Sequence, residues 1–247
     1  MKKEFDVLIF DYGNTLVFDP FRHILRMKTN EFQGLLTTKG YKIRWQHLAQ
    51  SWIAANEKID LPFISHFYQE EVIVEQALKK AGIENRDVAT IGQELLSIYR
   101  RGFKEVLNQD SRRIEIIQIM TFLKNRGLKL GVLSNERESV LNLALHCYEI
   151  FDFLDLVLSS EKVKVEKPDV EIFRYALEAL NSRPETSIYV GDDPIRDILP
   201  AKKIGMKTVL FVPPREYSLK TSWRSYDYPR ISPDFVIKKL AELRQIV

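Results

Sequence analysis

Five short apolar runs punctuate the chain: DVLIF at 6–10, LKLGVLS at 128–134, LDLVL at 154–158, SIYV at 187–190 and KTVLFV at 207–212. None alternates with polar residues as a half-solvated strand would, so each reads as a strand buried on both faces. Helical periodicity lies between the later runs. Ile116, Ile117, Met120 and Leu123 share one helix face, which stops at Gly127. Ile172, Phe173, Ala176, Leu177 and Leu180 share another, with Asp169 as its N-cap just after Pro168. Strands alternating with helices predict an α/β fold with a doubly wound, mostly parallel sheet covered on both faces.

Residues from about 20 to 108 break that rhythm. They offer no strand but several amphipathic stretches, such as Ala49, Trp52 and Ile53, or Leu95, Ile98, Tyr99 and Phe103, with Pro62 and Gly82 as breaks. The economical reading is an all-helical domain over 19–108 inserted into a core made of 1–18 and 109–247. No internal repeat or low-complexity tract interrupts either part.

Composition narrows the function classes. Of 247 residues 45% are hydrophobic and 29% charged, an ordinary globular balance, and a net charge of +3 gives no reason to expect a nucleic-acid partner. The single cysteine, Cys147, leaves no disulfide framework and no cysteine zinc site; it reads as a packed core thiol. His23, His47, His66 and His146 have no metal-ligand spacing. The start Met-Lys-Lys runs straight into the first apolar segment without a signal peptide, and no stretch is long enough to span a membrane. A cytoplasmic protein, monomeric or homodimeric and not membrane-bound, is the expectation.

In a doubly wound sheet, ligands bind beyond the carboxyl ends of the strands, so the residues that follow each run carry the information. Asp11, Gly13 and Thr15 follow the first, Ser134 and Asn135 the second, and Gly191, Asp192, Asp193 and Asp197 the fourth, while Lys167 precedes the helix between the third and fourth. Carboxylates gathered on one rim repel unless a cation neutralises them. Oxygen donors without histidine or thiolate suit a hard ion, Mg2+ above all. An aspartate beside Mg2+ and a lysine can attack phosphorus and form an aspartyl phosphate, with Ser134 and backbone N–H groups holding the oxygens. Any one of these acids could equally cap a helix. Finding all of them in order, each after an apolar run, favours a shared site.

The same segments resemble the four motifs of the haloacid dehalogenase-like hydrolase superfamily, whose members are mostly phosphatases. LIFDYGNTLV resembles the first, LGVLSN the second, SSEKVKVEKPDVEIF the third and IYVGDDPIRDILPAKKIGM the fourth. The resemblance implies a Rossmann-like core with a helical cap. It places Asp11 as nucleophile and Lys167 as its catalytic partner, with Thr15, Ser134, Asn135 and Lys167 at the phosphate. Asp11, the Gly13 carbonyl and Asp192 would hold Mg2+, supported by Asp193 and Asp197. The implied substrate is a small phosphorylated metabolite. The terminal PDFVIKKLAELRQIV also suits such a protein.

Gly13 departs from that pattern. Phosphatases of the superfamily usually carry a second aspartate there, which protonates the leaving oxygen and later activates water; glycine does neither. Three readings follow: a phosphatase weakened or restricted in its leaving groups; a dehalogenase- or phosphonatase-like hydrolase; or a degenerate member that binds a phosphorylated ligand or a protein. Two clusters have weaker claims. Arg22, His23, Arg26 and Lys28 could meet an anionic substrate, with His23 supplying an acid, but a solvated helix face explains them better. The basic-aromatic stretch 213–230 suits a surface loop or subunit contact better than a nucleic-acid module.

Overall fold

The first apolar run becomes strand β1 (Val7–Phe10), and the chain then leaves the sheet for five successive helices: α1 (Phe21–Met27), α2 (Thr29–Thr38), α3 (Trp45–Asp60), α4 (Glu70–Lys80) and α5 (Asn85–Gln109). The computed structural model describes residues 4–60, 70–212 and 232–247, the side chains of 57–60 excepted. Pro62, His66 and the stretch 213–230 lie outside the described residues, as does the side chain of Lys58. The chain divides into two compact units, Pro20–Gln109 on one side and Met1–Asp19 with Asp110–Val247 on the other.

The helical unit has its own core. Phe32 stacks on Trp45 with ring centroids 4.0 Å apart, Trp52 meets both edge-on, and the Trp45 indole N–H donates to the Leu25 carbonyl at 3.0 Å. Leu95, Ile98 and Phe103 of α5 are buried, Tyr99 is half-buried, and Trp52 is buried with Ala49 and Ile53 packed beside it. Gly82 ends α4 with φ +89°, a conformation that glycine adopts without the clash of a Cβ. Lys28 is tied within this unit to Glu31 and Glu105, each at 2.8 Å, while His23 and Arg26 are exposed.

In the other unit the rest of the sheet follows in βα order. It comprises α6 (Arg113–Asn125), β2 (Lys129–Ser134), α7 (Glu138–Cys147), β3 (Leu156–Ser159), α8 (Ser160–Val163), α9 (Val170–Ala179), β4 (Ser187–Gly191), α10 (Leu199–Lys203), β5 (Lys207–Phe211) and β6 (Phe235–Ile237). All neighbouring strands pair in parallel, in the order β3-β2-β1-β4-β5-β6. The strands start and end within a residue or two of the apolar runs. β6, whose Phe235 and Val236 are exposed, is an edge strand that the apolar runs do not announce. One face of the sheet packs Val7, Ile9, Leu133, Leu158 and Tyr189 against Ile172, Phe173, Ala176 and Leu177 of α9. As the sequence predicts, α9 starts at Asp169, whose side chain accepts from the Glu171 N–H, and α6 ends just before Gly127, at φ +73°. Cys147 is half-buried rather than a core thiol, because it falls in the last turn of α7. No helix among the described residues is long and apolar enough to cross a membrane.

The strand order reverses direction between β1 and β4, which puts the crevice of a doubly wound sheet at their carboxyl ends. Two aspartates brace the opposite ends of neighbouring strands. Asp155, just before β3, accepts from the Leu130 N–H at 2.8 Å and from Lys124 at 2.7 Å; Asp234, just before β6, accepts from the Thr208 N–H at 3.0 Å and the Thr208 hydroxyl at 2.8 Å. Burial opposes ionisation of both, but these donors outweigh it and hold each carboxyl below its ordinary range. Their stabilisation is therefore complete above the unfolded-state pKa near about 4 and fades as pH falls through the lower folded-state values. Replacing either by alanine should cost about 1–2 kcal/mol at pH 7. Urea melts at pH 7 and pH 3 should show that deficit shrinking at the lower pH; a deficit independent of pH would contradict the assignment.

Candidate active site

Asp11 is the first residue past β1, and its N–H still donates to the Val190 carbonyl of β4 at 2.8 Å. The chain then folds back on itself. The Tyr12 carbonyl accepts from the N–H groups of Leu16 and Val17, both at 3.0 Å, Gly13 bridges to Val17, and Asn14 takes a left-handed conformation with φ +58°. This loop brings the Thr15 hydroxyl to 3.2 Å from Asp11 Oδ2. A Cβ built on Gly13 would meet nothing within 4 Å, so the position has room for a side chain and lacks one.

Lys167 reaches the other oxygen of Asp11. Its ammonium lies 2.5 Å from Asp11 Oδ1 and 2.7 Å from Asp197 Oδ1, with all three residues buried. Burial alone would lower the lysine's pKa; Asp11 and Asp197 outweigh it and keep the ammonium above its ordinary value. The backbone of Lys167 is fixed by Asn135, whose side chain accepts from the Lys167 N–H and donates to its carbonyl, both at 2.8 Å. Asn135, expected at the phosphate, thus engages Lys167. Ser134, at the end of β2, is buried and its hydroxyl accepts from the Glu136 N–H at 3.0 Å, which leaves the hydroxyl proton to donate.

Asp197 sits on a π-helical turn, Pro194–Ile198, that widens the chain just after β4. Asp193 caps that turn, its Oδ1 accepting from the Ile195 and Arg196 N–H groups at 2.8 and 3.0 Å. Its own N–H donates to Asp197 Oδ2 at 3.0 Å. Burial, opposed by Lys167 and reinforced by Asp11 and Asp193, pushes Asp197 up to about 7. Tyr189 is the participant that sequence reasoning missed: its hydroxyl stands 3.2 Å from both Lys167 Nζ and Asp197 Oδ1. A tyrosine in the middle of the run SIYV was the available signal, a polar tip on an otherwise apolar strand.

The residues present suit a hard cation. Oxygen atoms of Asp11, Asp192 and Asp197 lie within 4.8 Å of one another, all three residues are buried, and the Lys167 ammonium contacts Asp11 and Asp197. Two oxygens of Asp197 are already engaged, by Lys167 and Tyr189 on one side and the Asp193 N–H on the other. Both oxygens of Asp11 are engaged as well, by Lys167 and the Thr15 hydroxyl, and these carboxylate oxygens are donors appropriate to Mg2+.

Comparison with known proteins agrees with this architecture. Residues 63–211 match the haloacid dehalogenase-like hydrolase family, and the chain belongs to that family. A glyceraldehyde 3-phosphate phosphatase from Methanocaldococcus jannaschii is 35% identical over 136 residues, 53% of this chain and 54% of that protein. The chain therefore spans about half the length of that relative. The pyrophosphatase PpaX of Bacillus mycoides is 27% identical over 204 residues, 79% of this chain and 91% of its own. Among solved structures, the HAD-hydrolase YfnB of Bacillus subtilis, bound to magnesium, superposes with a TM-score of 0.69 at 22% identity, covering 99% of both chains. A 2-haloacid dehalogenase from Pseudomonas syringae gives 0.67 at 20% identity over 98% of this chain and 97% of its own. At such identities the likeness is one of fold.

Gly191 offers a direct test of the geometry. A Cβ there would stand 2.5 Å from Asp197 Cγ, so the Asp197 side chain would have to shift. Gly191→Ala should displace Asp197 from Lys167 and cost about 1–3 kcal/mol in stability. A denaturant melt checks the cost. Wild-type stability together with an unmoved Asp197 in a crystal structure would show the approach to be looser than described.

Proposed function

We propose that the protein is a Mg2+-dependent phosphatase of small phosphorylated metabolites, working through an aspartyl phosphate on Asp11. The observation that carries this reading is a buried Asp11 held by Thr15 and Lys167, with Asp192 beside it. Relatives named as phosphatases of glyceraldehyde 3-phosphate, pyrophosphate and ribulose 1,5-bisphosphate support the substrate class. The helical unit Pro20–Gln109 is the cap in this reading.

In the first step an Asp11 oxygen forms a bond to phosphorus while the bond to the leaving oxygen breaks, the leaving group taking the electron pair. Lys167 offsets charge on the phosphoryl oxygens, and the Ser134 hydroxyl donates to one of them. In the second step water attacks phosphorus, releasing phosphate and restoring the Asp11 carboxylate. Mg2+, held by Asp11, the Gly13 carbonyl and Asp192, would supply further charge neutralisation at the phosphoryl group. Gly13 has no proton to give the leaving oxygen, so a leaving group that is already a stable anion is preferred: an acyl, aryl or phosphate group over a simple alkoxide. The pyrophosphatase among the relatives is named for a substrate whose leaving group is itself phosphate.

Two measurements test this. In a phosphate-ester screen with Mg2+, aryl and acyl phosphates should turn over faster than alkyl phosphates, and Asp11→Asn should abolish turnover of all. Gly13→Asp, which has the space it needs, should raise alkyl phosphate turnover by about a hundredfold or more. Good alkyl phosphate turnover in the wild type, without gain from Gly13→Asp, would mean that another group supplies the proton. Separately, calorimetry should show Mg2+ binding that weakens strongly in Asp192→Asn. Equal binding by both proteins would exclude this ligand set, and metal-independent halide release from 2-haloacids would favour the dehalogenase reading.

A further inference from the structure

Lys167 brings three protons to the site, and the protein uses all of them. Its ammonium lies 2.5 Å from Asp11 Oδ1, 2.7 Å from Asp197 Oδ1 and 3.2 Å from the Tyr189 hydroxyl. An ammonium has three donors and no acceptor, so none remains for a phosphoryl oxygen unless one partner withdraws. The two carboxylate contacts are short and charge-assisted; the contact to the neutral phenol is the longest and the weakest, so it is the one to give way.

The tyrosine's ring does not need that hydroxyl. It lies fully buried on β4, packed against Phe173 with centroids 4.9 Å apart, where phenylalanine would fill the same space. The hydroxyl donates its proton to Asp197 Oδ1 at 3.2 Å, which leaves its oxygen to accept from Lys167. With no phosphate bound, it spares a buried ammonium an unused N–H, which is costly away from water.

We propose that Tyr189 is a positioning residue whose hydroxyl holds the third proton of Lys167 and releases it to the phosphoryl oxygen of the incoming substrate. This deepens the phosphatase reading and rests on it. It also fixes a sign. Removing the hydroxyl raises the free energy of the phosphate-free protein and not that of the complex, in which the proton is already on phosphate, so binding tightens. A tyrosine that served packing alone would leave binding unchanged or weaken it.

Calorimetric titration with inorganic phosphate in Mg2+ buffer should therefore show Tyr189→Phe binding roughly three- to tenfold more tightly than wild type, the equivalent of one net hydrogen bond. Equal or weaker binding by the folded variant, beside a wild type that binds phosphate and hydrolyses its esters, overturns the inference and leaves the phosphatase reading standing. A wild type that neither binds phosphate nor hydrolyses any ester overturns the phosphatase reading. The hold on Lys167 is then judged without ligand, from exchange of its ammonium protons in spectra of 15N-lysine-labelled protein. Protection in the wild type that is lost in Tyr189→Phe supports that hold; equal exchange in both overturns it. Should the variant not fold, the 13Cζ signal of Tyr189 in the wild type serves instead: saturating phosphate should shift it, and an unmoved signal overturns the proposal.

Discussion

A single buried ammonium organises this site. Lys167 lies between Asp11 and Asp197 where water cannot screen their repulsion, and the positions of all three follow from one another. Removing one partner from such a buried group typically costs about 3–5 kcal/mol, because a charge is left uncompensated. Much of the surrounding structure can be understood as support for that arrangement. Asn135 grips the lysine's backbone, the π-helical turn swings Asp197 inward, and Gly191 withholds the Cβ that would keep it out. Asp192 brings a third carboxylate to the same place, and three oxygen donors gathered at the ends of β1 and β4 suit a hard cation.

The fold was legible because the chemistry of a doubly buried strand leaves few choices. β1 and β4 have both faces covered, so every residue in them is buried and the apolar run is continuous. The N-cap of α9 and the stop of α6 were legible for a local reason: Asp169 and Gly127 act on backbone within a few positions. β6 was not, since a three-residue edge strand with two exposed side chains makes no run.

The site divides along the same line. That Asp11, Ser134, Asp192 and Asp197 follow strands can be read in one dimension, because strand ends of a doubly wound sheet converge. What each side chain touches cannot. Asn135 pairs with a residue far along the chain, Asp193 caps a π-helical turn that no periodicity announces, and the Tyr189 hydroxyl is hidden within an apolar strand. These contacts exist only after the sheet has closed.

The insertion of the helical unit between β1 and its neighbours has a consequence for synthesis. Val7 pairs with Lys129 on one side and Ser187 on the other, so the central strand is made before both of the neighbours that complete it. Until β2 and β4 have left the ribosome, the four buried apolar residues of β1 lack their sheet partners, while the residues of the helical unit find partners among themselves. Non-local pairing of this kind is slow, and unpaired apolar strands are prone to aggregate. The nascent chain therefore carries β1 without its sheet partners while the whole helical unit is being translated.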